Sequence, residues 1–251
     1  MVAGRRVYYK KRVDGQTYTV RKRKRGGLKG VTSVRQRTGK GMAIAPTSNV
    51  LLHTPLLALS KSGKLPYSEG KLTMTQGASG QPTAYVFTAN GLYDPNITGT
   101  GHQPMGFDQM MLFYEHYTVT KSKITVNFIN VSVTDPACVG VLIAPDATIG
   151  TDANTLLENG MYVKKVLTIP AGGSSTGSIT CSANISKING KKDVKSENDF
   201  RGDITANPAE QTYFHVFSYN PFAAVQNNSV YFEVLIEYDA IFTEPRKMVP
   251  S

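Results

Sequence analysis

The sequence predicts an all-β protein, an eight-stranded antiparallel sandwich of two sheets, and three observations predict it. Eight segments carry the apolar/polar alternation or short apolar runs of strands, in a chain of 251 residues whose 40% hydrophobic content suffices for one core. Helical periodicity occurs at only two places, too few for the crossovers of a parallel α/β sheet. Gly, Pro, Asn and Asp cluster between the strands, where turns need them. No run approaches 18 apolar residues, so no membrane-spanning helix is expected. The charged N-terminus lacks the apolar stretch of a secretory leader.

The chain opens with a basic arm, residues 1–40. Arg5, Arg6, Lys10, Lys11, Arg12, Arg21, Lys22, Arg23, Lys24, Arg25, Lys29, Arg35, Arg37 and Lys40 stand there against one acid, Asp14, a net +13. The remainder holds the other 14 basic residues and 17 acids, a net −3, and the two make the +10 of the whole. Such dense like charge, with few apolar residues, predicts a disordered arm. Tyr8, Tyr9 and Tyr18 lie among the charges. Aromatic faces stack on unpaired bases while Lys and Arg follow phosphates, so all fourteen basic residues are expected to bind single-stranded nucleic acid. No helix-turn-helix, zinc-finger or RNA-recognition signature is present, and the binding is expected to be independent of base sequence. Arg21, Lys22, Arg23, Lys24 and Arg25 also form a compact cluster of the type importins accept, a nuclear localisation signal.

Residues 41–70 read as an extended lead-in to a body at 71–245, followed by a tail at 246–251. The strands of the body are expected at 71–76, 83–89, 117–131, 137–144, 161–169, 178–185, 213–219 and 229–241. Before the third, Phe107, Met110, Met111 and Tyr114 recur at helical spacing. Within it the alternation changes parity, which predicts a bulge at Lys121-Ser122-Lys123. A second short helix is expected near 152–158, capped by Asp or Thr. The 186–208 loop reads as too charged for a core, and with 146–160 it is a candidate outer surface.

The stretch Gly-Leu-Tyr-Asp-Pro-Asn-Ile-Thr-Gly-Thr-Gly-His-Gln-Pro-Met-Gly-Phe-Asp-Gln (91–109), the aromatic helix after it and Tyr-Thr-Val-Thr-Lys-Ser-Lys-Ile-Thr-Val (117–126) resemble the capsid proteins of small circular single-stranded DNA viruses that encode a replication initiator. The resemblance is sharpest over residues 90–130, and the order of strands and arm extends it. It implies a jelly-roll subunit that self-assembles into a small icosahedral shell (T=1, about 60 copies), with the arms inside on a circular single-stranded DNA genome. It also implies a virion location, passage through the host nucleus by importin, and a host receptor. Sixty arms would carry on the order of 780 positive charges. At one phosphate per nucleotide, that suits a genome of about two thousand nucleotides with counterions completing the balance. Related jelly rolls enclose RNA, so an RNA-virus capsid stays an alternative, as does a cellular nucleic-acid-binding protein with a basic tail.

No catalysis, cofactor or metal is expected. Gly99-Thr100-Gly101-His102-Gln103 lacks the glycine spacing and Lys of phosphate loops. Glu115-His116, near Asp108, would point apart on a helix and has no nucleophile beside it. Asp94, Asp135, Asp146 and Asp152 lie in loops without EF-hand spacing. His53, His102, His116 and His215 are scattered, against a zinc site. Cys138 and Cys181 read as reduced, buried thiols. Arg201-Gly202-Asp203 matches an integrin-binding tripeptide, a match short enough to arise by chance.

Overall fold

In the computed structural model, which describes residues 8–13, 16–21, 57–77, 80–97, 101–150, 152–158, 160–222 and 228–247, the chain divides into two units, Met1–His53 and Thr54–Ser251. Within the first, Tyr8–Val13 (β1) and Gln16–Arg21 (β2) form an antiparallel hairpin. This corrects the expectation of disorder for that part of the arm. Tyr8, Tyr9, Val13, Thr17, Tyr18, Thr19 and Val20 are strand-forming residue types, and Asp14-Gly15 between the runs is a strong hairpin signal. The register sets Arg21 against Tyr8, Lys10 against Thr19, Lys11 against Tyr18 and Arg12 against Thr17. No two cations therefore face each other across the ladder.

Eight strands build the second unit: β3 (Ser60–Thr75), β4 (Thr83–Thr88), β5 (Tyr114–Asn130), β6 (Ala137–Ala144), β7 (Met161–Leu167), β8 (Thr176–Asn184), β9 (Tyr213–Tyr219) and β10 (Ser229–Pro245). One sheet has the order β3-β10-β5-β8 and the other β4-β9-β6-β7, with every pairing antiparallel. The first strand thus pairs with the last, the second with the seventh, the third with the sixth and the fourth with the fifth. This is one long hairpin rolled into two four-stranded sheets, the topology of the jelly roll.

The burial of each sheet follows its sequence pattern. Along β10, Val230, Phe232, Val234, Ile236, Tyr238, Ala240 and Phe242 are buried and alternate with half-buried or exposed residues. They meet Ile124, Val126 and Phe128 of β5, Val139 and Val141 of β6, and Phe214 and Val216 of β9 in the core between the sheets. The nearly continuous burial along β6 and β9 has a different cause. Their second face is covered by α2 (Ala153–Glu158), where Leu156 packs with Cys138, Leu142, Phe217 and Tyr219. A sheet covered on both faces loses the polar half of its alternation.

Four expectations are corrected. Residues 60–70, expected as lead-in, belong to β3, and the expected boundary at 71 falls inside that strand. Gly63, Pro66 and Gly70 weakened its strand signal, but β3 lies at a sheet edge, where Pro is tolerated, and pairs with β10 from Ser60 to Thr75. The helical spacing that ran to Tyr114 gives only Phe107–Met111 (α1), and β5 starts at Tyr114. The bulge lies one residue before the expected triplet. Asp239 pairs with Lys121 but Ala240 with Val119, leaving Thr120 as the extra residue. The expected 186–208 loop is not wholly excluded from the core: Val194 and Phe200 are buried, and Ile185, expected to end the preceding strand, opens α3 (Ile185–Ile188) instead, where it is buried too.

Candidate nucleic-acid interface and the loop clamp

Of the fourteen basic residues expected to bind nucleic acid, Lys10, Lys11 and Arg12 lie in β1 and Arg21 ends β2. Arg5, Arg6, Lys22, Arg23, Lys24, Arg25, Lys29, Arg35, Arg37 and Lys40 lie outside the described residues, as does all of the importin-type cluster except Arg21. The hairpin is extended backbone carrying cations among tyrosines. Cation and aromatic types in that mixture suit phosphates and unstacked bases.

The 90–130 stretch, which carries most of the resemblance, is a structural clamp. Asn90 donates to the Glu210 carbonyl (2.9 Å) and accepts from the Thr212 backbone N–H (2.9 Å). The Tyr117 hydroxyl accepts from the Leu92 N–H (3.0 Å) and donates to Asn207 Oδ1 (3.3 Å). Asn207 Oδ1 also accepts from the N–H groups of Tyr93 (3.0 Å) and Asp94 (3.2 Å), and its amide donates to the Asp94 carbonyl (2.9 Å). Burial pushes the Tyr117 phenol well above its ordinary range, so the proton stays on the oxygen. Asn96 donates to Glu69 of β3, and His102 stacks on Tyr67 at 4.9 Å. The 89–113 and 185–212 connections are thereby pinned to each other and to the sandwich. Asn207 is the residue that sequence reasoning missed. An isolated Asn in a polar loop gives no periodic signal.

Other singled-out groups also have structural partners. Gly101, from the glycine turn, lies so close to the Tyr67 hydroxyl and Asn96 that a Cβ there would sit 2.6 and 2.8 Å from them. Arg201 pairs with Glu244 at 2.9 Å. Gly202 bridges Tyr117 in both directions (2.9 and 3.0 Å), and a Cβ there would overlap the phenol ring. Asp203 accepts from the Thr205 and Ala206 N–H groups, and the Thr205 bonds hold its carboxyl below the usual range. Arg201, Gly202 and Asp203 are each committed to the fold. Asp152 caps α2, accepting from the N–H groups of Asn154 and Thr155. Both Cys138 and Cys181 are free and buried, and burial raises both thiols. His53 lies outside the described residues.

Glu115 and His116 sit on β5 rather than on a helix. Together with Asn198, Arg201, Asp203, Asn207 and Glu244, His116 lines an open cleft of roughly 380 Å³. His116 Nε2 is 3.6 Å from Glu244 Oε2. Glu244 is another residue the sequence did not single out, because it reaches β5 only through strand pairing.

No family model matches the chain, and no curated protein matches it. Solved structures do. Cocksfoot mottle virus aligns with 74% of this chain and 96% of its own at 12% identity and a TM-score of 0.45. The Macrobrachium rosenbergii nodavirus aligns with 88% of this chain and 64% of its own, at 12% identity and 0.45. Desmodium yellow mottle tymovirus aligns with 82% and 99%, at 13% identity and 0.40. The jelly-roll topology rests on this chain's own strand pairing.

Proposed function

We propose that this chain is a viral capsid protein, a structural subunit and not an enzyme. About 60 copies assemble side to side into an icosahedral shell around a circular single-stranded DNA genome. The observation that carries the reading is the division of one chain into a jelly-roll body of net charge −3 and an arm of net charge +13. Jelly rolls serve as shell subunits, lectins and cupins. A packed apolar layer occupies the space between these sheets, where a cupin would place its metal ligands. A polyanion is the partner that a +13 segment recruits, and a near-neutral body does not compete for it.

In this mechanism the arms face inward and neutralise phosphates, with Arg5, Arg6, Lys10, Lys11, Arg12 and the basic residues from Arg21 to Lys40 as the contacts. Importin reads Arg21–Arg25 before assembly, which takes the subunit into the host nucleus. A host receptor would contact the exposed loops of the finished virion. DNA as the cargo rests on the resemblance over residues 90–130.

The test is to purify the full-length protein and image it by negative-stain electron microscopy, recording absorbance at 260 and 280 nm on the same fraction. Uniform closed particles with a nucleic-acid spectrum are expected, and sequencing the extracted cargo distinguishes DNA from RNA. Monomers or small oligomers across salt and pH would overturn the shell reading in favour of a cellular nucleic-acid-binding protein. A variant lacking residues 1–40 should lose most nuclease protection of the cargo; undiminished protection would refute the arm's role.

A further inference from the structure

Where β5 begins and β10 ends, Glu115, His116 and Glu244 bring one ligand atom each within 4.8 Å of the other two. Among the described residues no other three metal-ligating groups come together. The ladder produces the meeting: Thr243 pairs with His116 and Pro245 with Tyr114, which leaves Glu115 and Glu244 facing positions between those pairs. Like charges facing across a ladder repel, and Arg201 offsets part of that repulsion at Glu244.

The surrounding charges are of both signs. Arg201 Nη1 binds Glu244 Oε1 at 2.9 Å and leaves Oε2 turned to His116 Nε2 at 3.6 Å. Asp203 lines the same cleft and adds a carboxylate. Arg246 is held by the carbonyls of Met111 and Tyr114. The carboxylates of Glu115, Glu244 and Asp203 thus stand beside the guanidiniums of Arg201 and Arg246.

An imidazole nitrogen with carboxylate oxygens suits a zinc-class ion. Calcium and magnesium take oxygen ligands alone. Zinc draws its ligands in to about 2.0–2.2 Å. These side chains have room to rotate inward, since Glu115 is exposed and the His116 and Glu244 side chains are 36% and 51% exposed. Arg201 supplies the outer hydrogen bond that orients a ligating carboxylate.

We propose that Glu115, His116 and Glu244 form a binding site for a zinc-class divalent cation, with its fourth position open to the cleft. The bound ion ties the end of β10 to the start of β5 and, through Arg201, to the 185–212 connection. The proposal does not depend on the capsid reading.

Full-length protein stripped with chelator is titrated with Zn²⁺ by calorimetry and with Co²⁺ by visible absorption, near neutral pH. One saturable ion per chain is expected, with a Co²⁺ spectrum of nitrogen and oxygen coordination. His116→Ala and Glu115→Gln should each weaken binding at least about tenfold, while His102→Ala, which alters a ring stacked on Tyr67, should not. Glu115→Gln changes only an exposed charge, so it reads the site even if His116→Ala fails to fold. Wild-type affinity in Glu115→Gln, equal loss in His102→Ala, or no saturable uptake of either ion overturns the proposal.

Discussion

Replacing Tyr117 with phenylalanine removes one oxygen from the point where two connections meet, and the cost follows from what that oxygen satisfies. Tyr117 is fully buried, and its ring packs edge-on against Phe107 at 5.4 Å. The substitution keeps that packing and strands the Leu92 N–H, whose bond to the hydroxyl is 3.0 Å. A buried donor left without a partner costs about 1–3 kcal/mol. For a domain of this size, each kcal/mol lowers Tm by about 2–4 °C, so Tyr117→Phe should melt roughly 2–12 °C lower. Asn207→Ala leaves the Tyr93 and Asp94 N–H groups without their side-chain acceptor and should cost at least as much. The double variant should then cost less than the sum, because the two residues share a bond at 3.3 Å. The assay is circular dichroism melting of disassembled protein at fixed concentration, since assembly shifts apparent stability. The chain has no Trp, so fluorescence reports only on its tyrosines. A Tm within 1 °C of wild type for Tyr117→Phe, or strict additivity in the double variant, would refute the clamp.

Two further predictions concern buried groups. His215 lies fully buried in β9, with Nε2 2.7 Å from the Asp146 carbonyl and Nδ1 without a partner, and burial pushes its imidazole below the ordinary 6.5. The unfolded chain therefore takes up the proton first. Stability is lost as pH falls from about 6.5 towards the lower folded value, by up to about 1.4 kcal/mol per pH unit. His215→Asn should flatten that part of the stability–pH profile, and an unchanged slope would count against a neutral buried imidazole. Gly202→Ala should destabilise by about 1–3 kcal/mol because the new methyl meets the Tyr117 ring; a wild-type melting curve would show that Gly202 serves something other than the fold.

Much of the body was legible because its signals are local. The period of two in β8 and β10 and the cap at Asp152 are each written within a few residues. Charge, being additive, divided the chain into arm and body without any geometry. The misreadings arose where local and long-range terms disagree. In the arm, charge density masked strand-forming tyrosines and valines around Asp14-Gly15. In β3, glycines and a proline masked a strand whose order comes from its partner β10. A short helix of mixed spacing lost Tyr114 to β5, where the ladder supplies backbone hydrogen bonds that the helix end would leave open.

Function-bearing neighbourhoods divide the same way. Composition and periodicity alone determine that the chain joins a strongly basic segment to a nearly neutral sandwich, because charge and periodicity need no contacts to be read. Tertiary structure alone decided that Asn90, Tyr117 and Asn207 form one clamp, that Arg201-Gly202-Asp203 is consumed by the fold, and that Glu244 joins Glu115 and His116. Asn90 lies 27 positions before Tyr117 and Asn207 lies 90 after it, while Glu244 lies 129 positions after Glu115. The pairing of the third strand with the last brings Glu244 to Glu115 and His116, and the return of the 185–212 connection brings Asn207 to Tyr117.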